Sequence, residues 1–534
     1  MARKRLGFFV LPLIIAAFSL LGGLYGPRIP VASAATDPEV AERVLDNEVD
    51  NFAKVYALIE QNFAEPVNSD KAIYRGAIPG MLRTLDPHSN FFDPKDYQAV
   101  LEDQQGKYYG VGMSVSPRNG KTVVIAPFPG SPAYKAGLRP GDIIVFVNDK
   151  PTDGLNTTEV ADLLKGPRGT PVKVVVSREG APDYITFSIV RDEINRKSVP
   201  DATWVRDGIA YVKILQFAEN TGRELDENLR RLGEQNIHGL VLDLRGNPGG
   251  LLNSGVAVAD HFLQKGQLIV SHHGRSSPER PYIAKNGNHG LSYPIVVLVD
   301  HSSASAAEIV SGALQDHDRA WVLGEQTFGK GLVQTVFPLR ERTALALTTA
   351  HFYTPSGRLI QRDYSKESFY DYYTHRGAET RNEMDVKMTD SGRRVYGGGG
   401  ITPDEKYETP KLDHLQVELI RSALFNFTRA YFAKHNSKLA EGWMPDEQVV
   451  EALHEHLLAA KVPFTEKEFT QDHDWIRRYL AKEMYIYAFN VDASDEVFAK
   501  TDPEVARAVD AMPKAQSLVD TARKAVAQRV APVR

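Results

Sequence analysis

The spacing of hydrophobic residues divides the chain into helical and β-rich stretches. Between residues 37 and 100, apolar residues such as Val49 and Phe52 recur at near-helical intervals, which predicts a helical N-terminal region. Between residues 106 and 194, short runs rich in β-branched residues are separated by Gly and Pro turns, a pattern typical of a β-rich module. One helix is predicted inside this module, from Thr157 to Leu164.

A second region, from about residue 203 to 360, alternates two kinds of apolar segment. Mostly apolar runs such as 239–244 and Ile295–Val299 are typical of strands covered on both faces. They alternate with segments of helical spacing such as 254–263 and 306–314. This alternation predicts an α/β core.

Two stretches beyond this core have different patterns. Residues 362–400 are polar, rich in Tyr and end in four glycines, which favours an insertion or loop over a core element. Beyond Lys411 the helical spacing continues to the end of the chain. Two amphipathic stripes are predicted there, formed by Val417, Ile420, Leu424, Phe427 and Tyr431, and by Trp475, Tyr479 and Ile486.

The composition supports several globular domains and excludes some chemistries. The chain has 534 residues, of which 42% are hydrophobic and 25% charged, and at about 150 residues per domain it forms three or four folded units. The formal charge of −5 without a long basic run argues against binding to a nucleic-acid backbone. The absence of cysteine excludes disulfides, a thiol nucleophile, thiolate zinc sites and iron–sulfur clusters.

The N-terminus carries a predicted export signal. Three basic residues at positions 3–5 precede the uncharged, mostly apolar stretch 6–26, and Ala32-Ser33-Ala34 provides a small-x-small cleavage site. The apolar stretch is also long enough to span a bilayer, so an uncleaved membrane anchor is the alternative. Pro12 and the cleavage site favour removal of the signal. Either way, we expect the remainder in the periplasm or on the outer face of a bacterial cytoplasmic membrane.

The β-rich module resembles a PDZ domain. The resemblance rests on residues 136–144, which read AGLRPGDII, and on the glycines at 110 and 112 ahead of them. Such glycines let the backbone approach a ligand, turn N–H groups hold a terminal carboxylate, and the next strand edge pairs with an extended peptide. The alternative is that the glycines serve hairpin turns alone. The predicted peptide-binding residues are Gly110, Val111, Gly112 and Met113, with Val160 and Leu164 of the helix lining the groove.

Four familiar motifs are incomplete in the second region and the tail. Residues 246–250 read GNPGG, with Pro248 where a related loop of Ser-His-Asp proteases has its nucleophile. Residues 324–330 match the start of a P-loop, but Gly331 replaces the Ser or Thr that binds magnesium. A G-x-S-x-G elbow is absent from the sequence, and the histidines of 454–456 lack the spacing of a helical zinc pair.

Ser305 and Lys330 are the remaining candidates for catalysis. Ser305 follows a buried-type strand and precedes a helix, whose positive N-terminal potential favours a developing anion. Its spacing to Glu308 is also that of a capping box, in which the hydroxyl only satisfies a backbone N–H. Lys330 lies in a loop beside Phe328, where desolvation would lower its pKa and free its amine. A solvated loop lysine is the alternative.

Five strings resemble the carboxy-terminal processing peptidases, also called tail-specific proteases, and occur in that family's order after a PDZ domain. They span 242–250, 303–309, 312–316, 324–331 and 353–357. The resemblance covers residues 40 to 408 and implies a multidomain α/β fold, in which a PDZ module precedes an α/β protease core of the ClpP/crotonase-like type. It also implies a serine endopeptidase that needs no metal or other cofactor. Two features depart from the family's pattern. One is the helical tail, and the other is His301-Ser302-Ser303, where the family more often has a glycine.

The resemblance assigns roles at the matching positions. Ser305 corresponds to the nucleophile, Lys330 to the general base and Gln334 to the residue that orients the lysine. On a continuous strand Gln334 would lie about 13 Å beyond Lys330, so their contact requires a bend at Gly331. The expected oxyanion hole consists of the N–H of Ala306 and an N–H from the Gly249-Gly250 turn.

The implied activity is cleavage of protein substrates whose free C-terminus the PDZ domain captures. The sequence leaves two alternatives open, an inactive PDZ scaffold or chaperone that only holds tails, and a Ser-His-Asp protease that uses a histidine such as His301. A homo-oligomer or an adaptor protein is a further possible partner. The predicted organisation is a signal (1–34), a helical region (35–100), a PDZ domain (101–195), a peptidase core (196–410) and a C-terminal helical region (411–534).

Overall fold

The structure is a computed structural model that describes residues 38–365, 371–372, 382–435, 439–440 and 442–530. The predicted signal at 1–34 lies outside the described residues. The chain forms two compact units that divide after Ile78. No helix in the described ranges is both long and apolar enough to cross a membrane.

The first unit is helical, as the N-terminal spacing predicts. Its elements are helix α1 (Pro38–Asn62), helix α2 (Ser69–Ala72) and a π-helical turn (Ile73–Ala77). Asn68 caps α2 by accepting a hydrogen bond from the N–H of Lys71, and the hydroxyl of Tyr56 donates to Ser69 Oγ at 2.7 Å. Several large apolar side chains of this unit are exposed, among them Val49, Phe52, Ile59 and Phe63.

The prediction of a helical region up to residue 100 is confirmed except for a turn and a short strand between residues 84 and 93. The second unit begins with helix α3 (Ile78–Arg83), strand β1 (Asn90–Phe92) and helix α4 (Pro94–Gln105). Pro87 and Pro94 interrupt the helical pattern, because proline removes a backbone donor and restricts the residue before it. The intervening strand β1 pairs antiparallel with residues 344–346, so this segment becomes part of the α/β core.

The β-rich module follows, with the predicted helix in place. Its elements are β2 (Lys107–Gly110), β3 (Met113–Arg118), β4 (Lys121–Pro127), α5 (Pro132–Ala136), β5 (Ile143–Val147), β6 (Lys150–Pro151), α6 (Thr157–Leu164), β7 (Pro171–Ser177), β8 (Ile185–Val190) and β9 (Asp192–Asn195). The main sheet has the order β3-β4-β5-β7-β8, with β6 on β5, while β2 pairs with β9. Strand β3 is therefore an edge strand, and α6 packs beside it.

The described part of the α/β core contains two large sheets and a separate two-stranded hairpin. Its strands are β10 (Thr203–Arg206), β11 (Ile209–Lys213), β12 (Gly239–Asp243), β13 (Leu268–Gly274), β14 (Ser277–Ile283), β15 (Ile295–Val299), β16 (Trp321–Gly324), β17 (Leu332–Pro338), β18 (Ala344–Tyr353), β19 (Asn382–Met388), β20 (Arg394–Gly397) and β21 (Glu405–Lys406). Its helices are α7 (Thr221–Leu232), α8 (Leu252–Phe262) and α9 (Ala306–Asp316), with 3-10 turns at Glu234–Asn236 and Arg340–Arg342.

The first sheet carries the buried strands that the sequence predicts. Its order is β10-β11-β12-β15-β16-β21, parallel from β11 onward, and every position of β12 and β15 is buried. The second sheet is antiparallel in the order β1-β18-β13-β14, with β17 also paired to β18. Because the carboxyl ends of parallel strands lie at one edge of a sheet, the turns after β12 and β15 are neighbours.

Residues 362–400, expected to be an insertion or loop, contain in their described part a hairpin that contacts the core. Strands β19 and β20 form a hairpin, and Arg393 between them bonds Asp318 and Asp404 of the core. Tyr372 is 1% exposed. These contacts are ionic and aromatic, so a hydrophobic pattern does not reveal them.

The tail is helical, and the predicted stripes are correct in part: Leu424 and Phe427 are buried, and Tyr431, Trp475 and Tyr479 pack against the same core. Its elements are α10 (His414–Glu418), a π-helical stretch (Leu419–Ala423), α11 (Leu424–Lys434), α12 (Glu447–Ala459), α13 (Glu466–Gln471), α14 (His473–Ala488), α15 (Val491–Thr501), α16 (Pro503–Asp510) and α17 (Met512–Val530). Val417 and Ile420 are exposed while Leu415 and Leu419 are buried, because the wider π-helical turn rotates the helix face. In α14 the buried residues include Ile476, Leu480 and Met484.

The last helices of the tail cover one face of the parallel sheet. Val505, Ala508 and Met512 pack against alternate residues of the strands, such as Val241 and Val296. The intervening residues of those strands pack instead with helices α7 to α9. Since successive side chains of a strand point to opposite faces, the sheet lies between two helical layers.

Candidate active site

Ser305 occupies a strained turn between strand β15 and helix α9. Its backbone angles are φ 53° and ψ −111°, a conformation that side-chain-bearing residues rarely adopt and that clusters at functional sites. A strained strand-to-helix turn of this kind presents a serine hydroxyl at a helix N-terminus. The structure thus has the shape of a nucleophile turn, although the glycine-flanked elbow sequence is absent.

The carboxylate of Glu308 joins this turn to the loop of Lys330. Its Oε2 accepts hydrogen bonds from the backbone N–H of Ser305 at 2.8 Å and of Lys330 at 2.9 Å. Its Oε1 accepts from the N–H of Gly329 at 2.7 Å and from the hydroxyl of Thr327 at 2.5 Å. Glu308 is 0% exposed, and burial raises the pKa of its carboxyl while the four donors oppose that shift.

Glu308 is therefore more than the capping partner that the sequence suggests. The bond from its carboxylate to the Ser305 N–H is the expected side-chain half of a capping box. The other three bonds attach the lysine loop. Sequence reasoning missed them because the spacing of Ser305 and Glu308 says nothing about residues 327–330.

Lys330 lies in a partly buried position and contacts Gln334, as the resemblance implies. Its Nζ donates to Gln334 Oε1 at 3.0 Å. Lys330 and Gln334 do not lie on one continuous strand, because β17 begins only at Leu332 and its register shifts between Val333 and Gln334. Burial lowers the pKa of Lys330, and the carboxylates of Glu308 and Asp86 oppose that shift.

A turn just before strand β1 completes this side of the site. The Asp86 carboxylate accepts from the N–H groups of His88 and Ser89 and from the Ser89 hydroxyl, each at 2.7 Å. The backbone oxygen of His88 accepts a hydrogen bond from Gln334 Nε2. Burial, together with the positive charge of Lys330, lowers the pKa of His88 to about 4.

Sequence reasoning did not identify this turn. It lies more than 200 positions before Gln334 in the chain, inside a segment whose spacing is helical. An Asp-Pro-His-Ser string is a turn signal, and that was its only visible mark.

Aromatic side chains surround the lysine loop. Tyr372 lies edge-on to Phe328 and to His88, with ring centroids 5.4 Å apart in each pair. The guanidinium of Arg362 lies 4.9 Å from the Phe328 ring centroid and 4.5 Å from that of Tyr372. Phe328 is two residues from Lys330, so this cluster helps to desolvate the loop.

The structure brings Gly249 and Ala306 together beside Ser305. A Cβ at Gly249 would lie 2.8 Å from the Cβ of Ser305 and 3.0 Å from the nitrogen of Ala306, so the close approach requires glycine. The Gly249 N–H donates to Asn247 Oδ1 at 2.8 Å. Gly250 forms a bridge with Phe217, where a Cβ would lie 2.2 Å from the Phe217 carbonyl oxygen.

The predicted PDZ residues cluster, but they do not form an open groove. Val111, Met113, Val160 and Leu164 belong to the hydrophobic core of the module, and Gly110 and Gly112 are buried. Val160 is 0% and Leu164 5% exposed, so both side chains pack inside the module in this structure. The face of α6 that the sequence assigns to a ligand is the face that the helix packs on its own sheet.

Among the described residues, two histidines that the sequence singled out form hydrogen bonds with glutamates. His301 Nδ1 bonds Glu325 Oε2 at 2.9 Å, and His454 bonds Glu466 in the tail. Within the described residues, no group of three or more His, Asp or Glu side chains is arranged to hold a metal ion. Lys330, by contrast, lies on the loop that is hydrogen-bonded to Glu308 together with the Ser305 turn, and its pKa is lowered.

Three family models match the chain. Residues 208–366 match peptidase family S41, residues 123–178 match the PDZ domain, and residues 29–96 match the activating protease CtpB N-terminal domain. The first two matches fall on the α/β core and the β-rich module.

Relatives with similar sequences share one description. A carboxy-terminal-processing protease of Bartonella bacilliformis is 38% identical over 58% of this chain and 72% of its own length. The carboxy-terminal processing protease CtpB of Bacillus subtilis is 33% identical over 65% of this chain and 75% of its own. Among solved structures, a photosystem II D1 C-terminal processing protease is 29% identical, covering 67% of this chain and 86% of that one, with a TM-score of 0.35.

Proposed function

Because the chain belongs to the carboxy-terminal processing proteases, and is a serine-type peptidase with a PDZ domain, we propose that Ser305 is its nucleophile and Lys330 its general base. The observation that supports this assignment most directly is the Glu308 carboxylate, which accepts from the N–H groups of both residues. It fixes the two loops relative to each other without occupying either reacting side chain.

The lysine acts as a base only when its amine is neutral. Burial lowers the pKa of Lys330, so more of the amine is free at neutral pH than for an exposed lysine. The neutral Nζ removes the proton of the Ser305 hydroxyl as its oxygen attacks the scissile carbonyl. Gln334 accepts one N–H of the amine, which orients the nitrogen while its lone pair stays available.

Backbone N–H groups then stabilise the tetrahedral intermediate. Ala306 provides one donor, at the N-terminus of α9. Since the Gly249 N–H already donates to Asn247, the second donor is the N–H of Gly250. The protonated Lys330 gives its proton to the leaving amine of the substrate. The Lys330 amine, neutral again, then deprotonates the water that hydrolyses the acyl-enzyme.

The PDZ module selects the substrate by its free C-terminus. Strand β3 is an edge strand, so an extended peptide can add to it as a further strand. The turn just before that strand receives the terminal carboxylate. It is formed by Gly110, Val111 and Gly112, together with Met113, the first residue of the strand. Because Val160 and Leu164 are buried, α6 shifts away from β3 when a terminal apolar side chain enters between them.

Two further elements of the proposal concern location and assembly. The relatives described above are bacterial, and the basic and apolar N-terminal segment 1–34 directs the chain out of the cytoplasm. N-terminal sequencing of the cell-extracted protein distinguishes a cleaved signal from an anchor.

The exposed apolar side chains of α1 pair two copies of the chain. Light scattering tests this by comparing the molar mass of the wild type with that of Phe52→Glu.

The central experiment uses one peptide that ends in an apolar residue, supplied with a free and with an amidated C-terminus. Ser305→Ala and Lys330→Ala abolish cleavage, whereas Ser302→Ala, which alters an exposed serine of the same turn, and His301→Ala retain it. A fluorophosphonate probe adds mass to Ser305 in the wild type. Amidation raises KM. Full activity of Lys330→Ala would refute the dyad, and equal KM for both peptides would refute recognition of the carboxylate.

A further inference from the structure

Two carboxylates of the C-terminal tail contact the arginine that precedes the glycine turn of the site. Arg245 donates from one guanidinium nitrogen to Glu504 Oε2 at 2.7 Å and from another to Asp502 Oδ2 at 2.9 Å. These residues are about 260 positions apart in the chain. Asp502 caps helix α16, where its other oxygen accepts from the N–H of Glu504 at 2.8 Å.

The same guanidinium is fixed on its other side by Asp243, the last residue of strand β12. Arg245 donates to the two oxygens of Asp243 at 3.0 and 2.7 Å. Asp243 is fully buried and also accepts from the hydroxyl of Tyr211 at 2.6 Å. Arg245 therefore lies between one carboxylate of the sheet and two of the tail.

The segment held by this arginine leads directly to the nucleophile. The carbonyl of Leu244 accepts from the hydroxyl of Ser303 at 2.8 Å. The carbonyl of Asn247 accepts from the N–H of Ala304 at 2.9 Å, and its side chain accepts from the N–H of Gly249. A displacement of residues 244–247 is thus transmitted both to the glycine turn and to the residues just before Ser305.

Removing a tail carboxylate leaves the arginine incompletely paired. Glu504 is buried and Asp502 nearly so, and only 16% of the Arg245 side chain is exposed. A charge in such a position that loses a partner is costly, and nearby groups rearrange to compensate. The groups able to move here are the guanidinium and the loop that carries it.

We propose that Asp502 and Glu504 are positioning residues for peptide-bond cleavage, because they hold Arg245 and, through it, the loop that carries Gly249 and Gly250. This inference rests on the site proposed above. Under this proposal the tail is a part of the catalytic unit. Its two carboxylates act through Arg245, from the start of a helix that covers one face of the parallel sheet.

The test compares the loss of a tail contact at Arg245 with the loss of a tail contact elsewhere, both in the full-length protein. Glu504→Gln and Asp502→Asn each remove a charge that contacts Arg245. Glu405→Gln is the matched control, because Glu405 of β21 binds Arg507 and Lys514 of the same tail, at 2.6 and 2.7 Å, without contacting Arg245. Steady-state cleavage of the tail peptide gives kcat and KM, and thermal unfolding reports on folding.

We expect kcat to fall about tenfold in Glu504→Gln and Asp502→Asn, since small displacements of catalytic groups cost one to two orders of magnitude. KM stays within about twofold, because substrate capture lies in another domain. In Glu405→Gln both constants stay at wild-type values although the melting temperature falls by about 3 °C. In an Arg245→Lys background, Glu504→Gln has no further effect on kcat.

Two results would overturn the proposal. One is wild-type kcat in folded Glu504→Gln and Asp502→Asn; if Glu504→Gln does not fold, Asp502→Asn alone decides. The other is an equal loss of kcat in Glu405→Gln, which would show that general attachment of the tail matters. Neither result bears on the nucleophile, because Ser305→Ala tests that residue separately.

Discussion

The backbone N–H groups of Ser305 and Lys330 donate to the same oxygen atom, Oε2 of Glu308, at 2.8 and 2.9 Å. A single buried carboxylate thus sets the separation of two loops that the proposed reaction requires to meet. A glutamine in its place would turn an NH₂ group toward backbone donors that need an acceptor.

Glu308→Gln is therefore expected to lower kcat at least 100-fold and the free energy of unfolding by about 2 kcal/mol. Peptide cleavage and chemical denaturation measure the two effects. Glu325→Gln is the control, because Glu325 accepts from His301 at the same edge of the sheet but not from either loop residue. Near-wild-type kcat in Glu308→Gln would contradict the role of the shared oxygen.

The glycine turn provides a second, sterically defined prediction. Gly249→Ala would place a methyl group 2.7 Å from the Ala304 carbonyl oxygen and 2.8 Å from Ser305 Cβ, so the two loops must separate. We expect kcat to fall more than about 100-fold, because the oxyanion donors move away from the nucleophile. Gly266→Ala serves as the matched control.

Gly266 also has a positive φ, of 93°, but no atom lies within 4 Å of the position that a Cβ would take. Its replacement by alanine costs about 1 kcal/mol of stability through backbone strain and leaves kcat close to wild type. Equal losses of activity in the two variants would mean that strain, rather than the approach to Ser305, explains the effect.

The pH dependence of cleavage reports on the lysine. Because burial lowers the pKa of Lys330, the acidic limb of kcat/KM has its midpoint below the ordinary lysine value of 10.5. Asp86 is a negative charge that raises the Lys330 pKa, so Asp86→Asn moves that midpoint to lower pH. A shift to higher pH in this variant, with its melting temperature unchanged, would contradict the assignment of Lys330 as the base.

His88 is expected to make stability depend on pH. Its pKa is lowered from 6.5 to about 4 in the folded protein, so between these values the unfolded chain binds more protons than the folded one. Stability is therefore complete above pH 6.5 and declines as the pH falls toward 4, by at most about 3 kcal/mol. His88→Gln removes this part of the decline, which unfolding at pH 7.5 and 5 measures.

His414→Gln is the control for that measurement, since His414 is exposed at the start of helix α10. An identical pH dependence of unfolding in wild type and His88→Gln would exclude His88 as its source.

The elements that the sequence predicts best are those with local causes. The apolar run of Ile295–Val299 reads directly as a strand buried on both faces, and it is one. The contact of Lys330 with Gln334, implied by resemblance, is also present. Both depend on residues close together in the chain.

Features with distant or geometric causes could not be predicted. The Asp86 turn approaches Gln334 across more than 200 residues, and the bonds of Glu308 depend on its burial. In the tail, one π-helical turn at Leu419–Ala423 rotates the buried face, and hydrophobic spacing assumes a regular helix. The hairpin after residue 382 is held by ion pairs, which an apolar pattern does not detect.

The contact between Arg245 and Glu504 also has a consequence for the order of biosynthesis. Because synthesis proceeds from the N-terminus, Ser305 and Lys330 leave the ribosome and can begin to fold long before residue 504 emerges. The ion pair that closes this loop of about 260 residues is among the last to form, since contacts between distant residues are slow. A chain truncated before residue 502 lacks both of the tail carboxylates that contact Arg245.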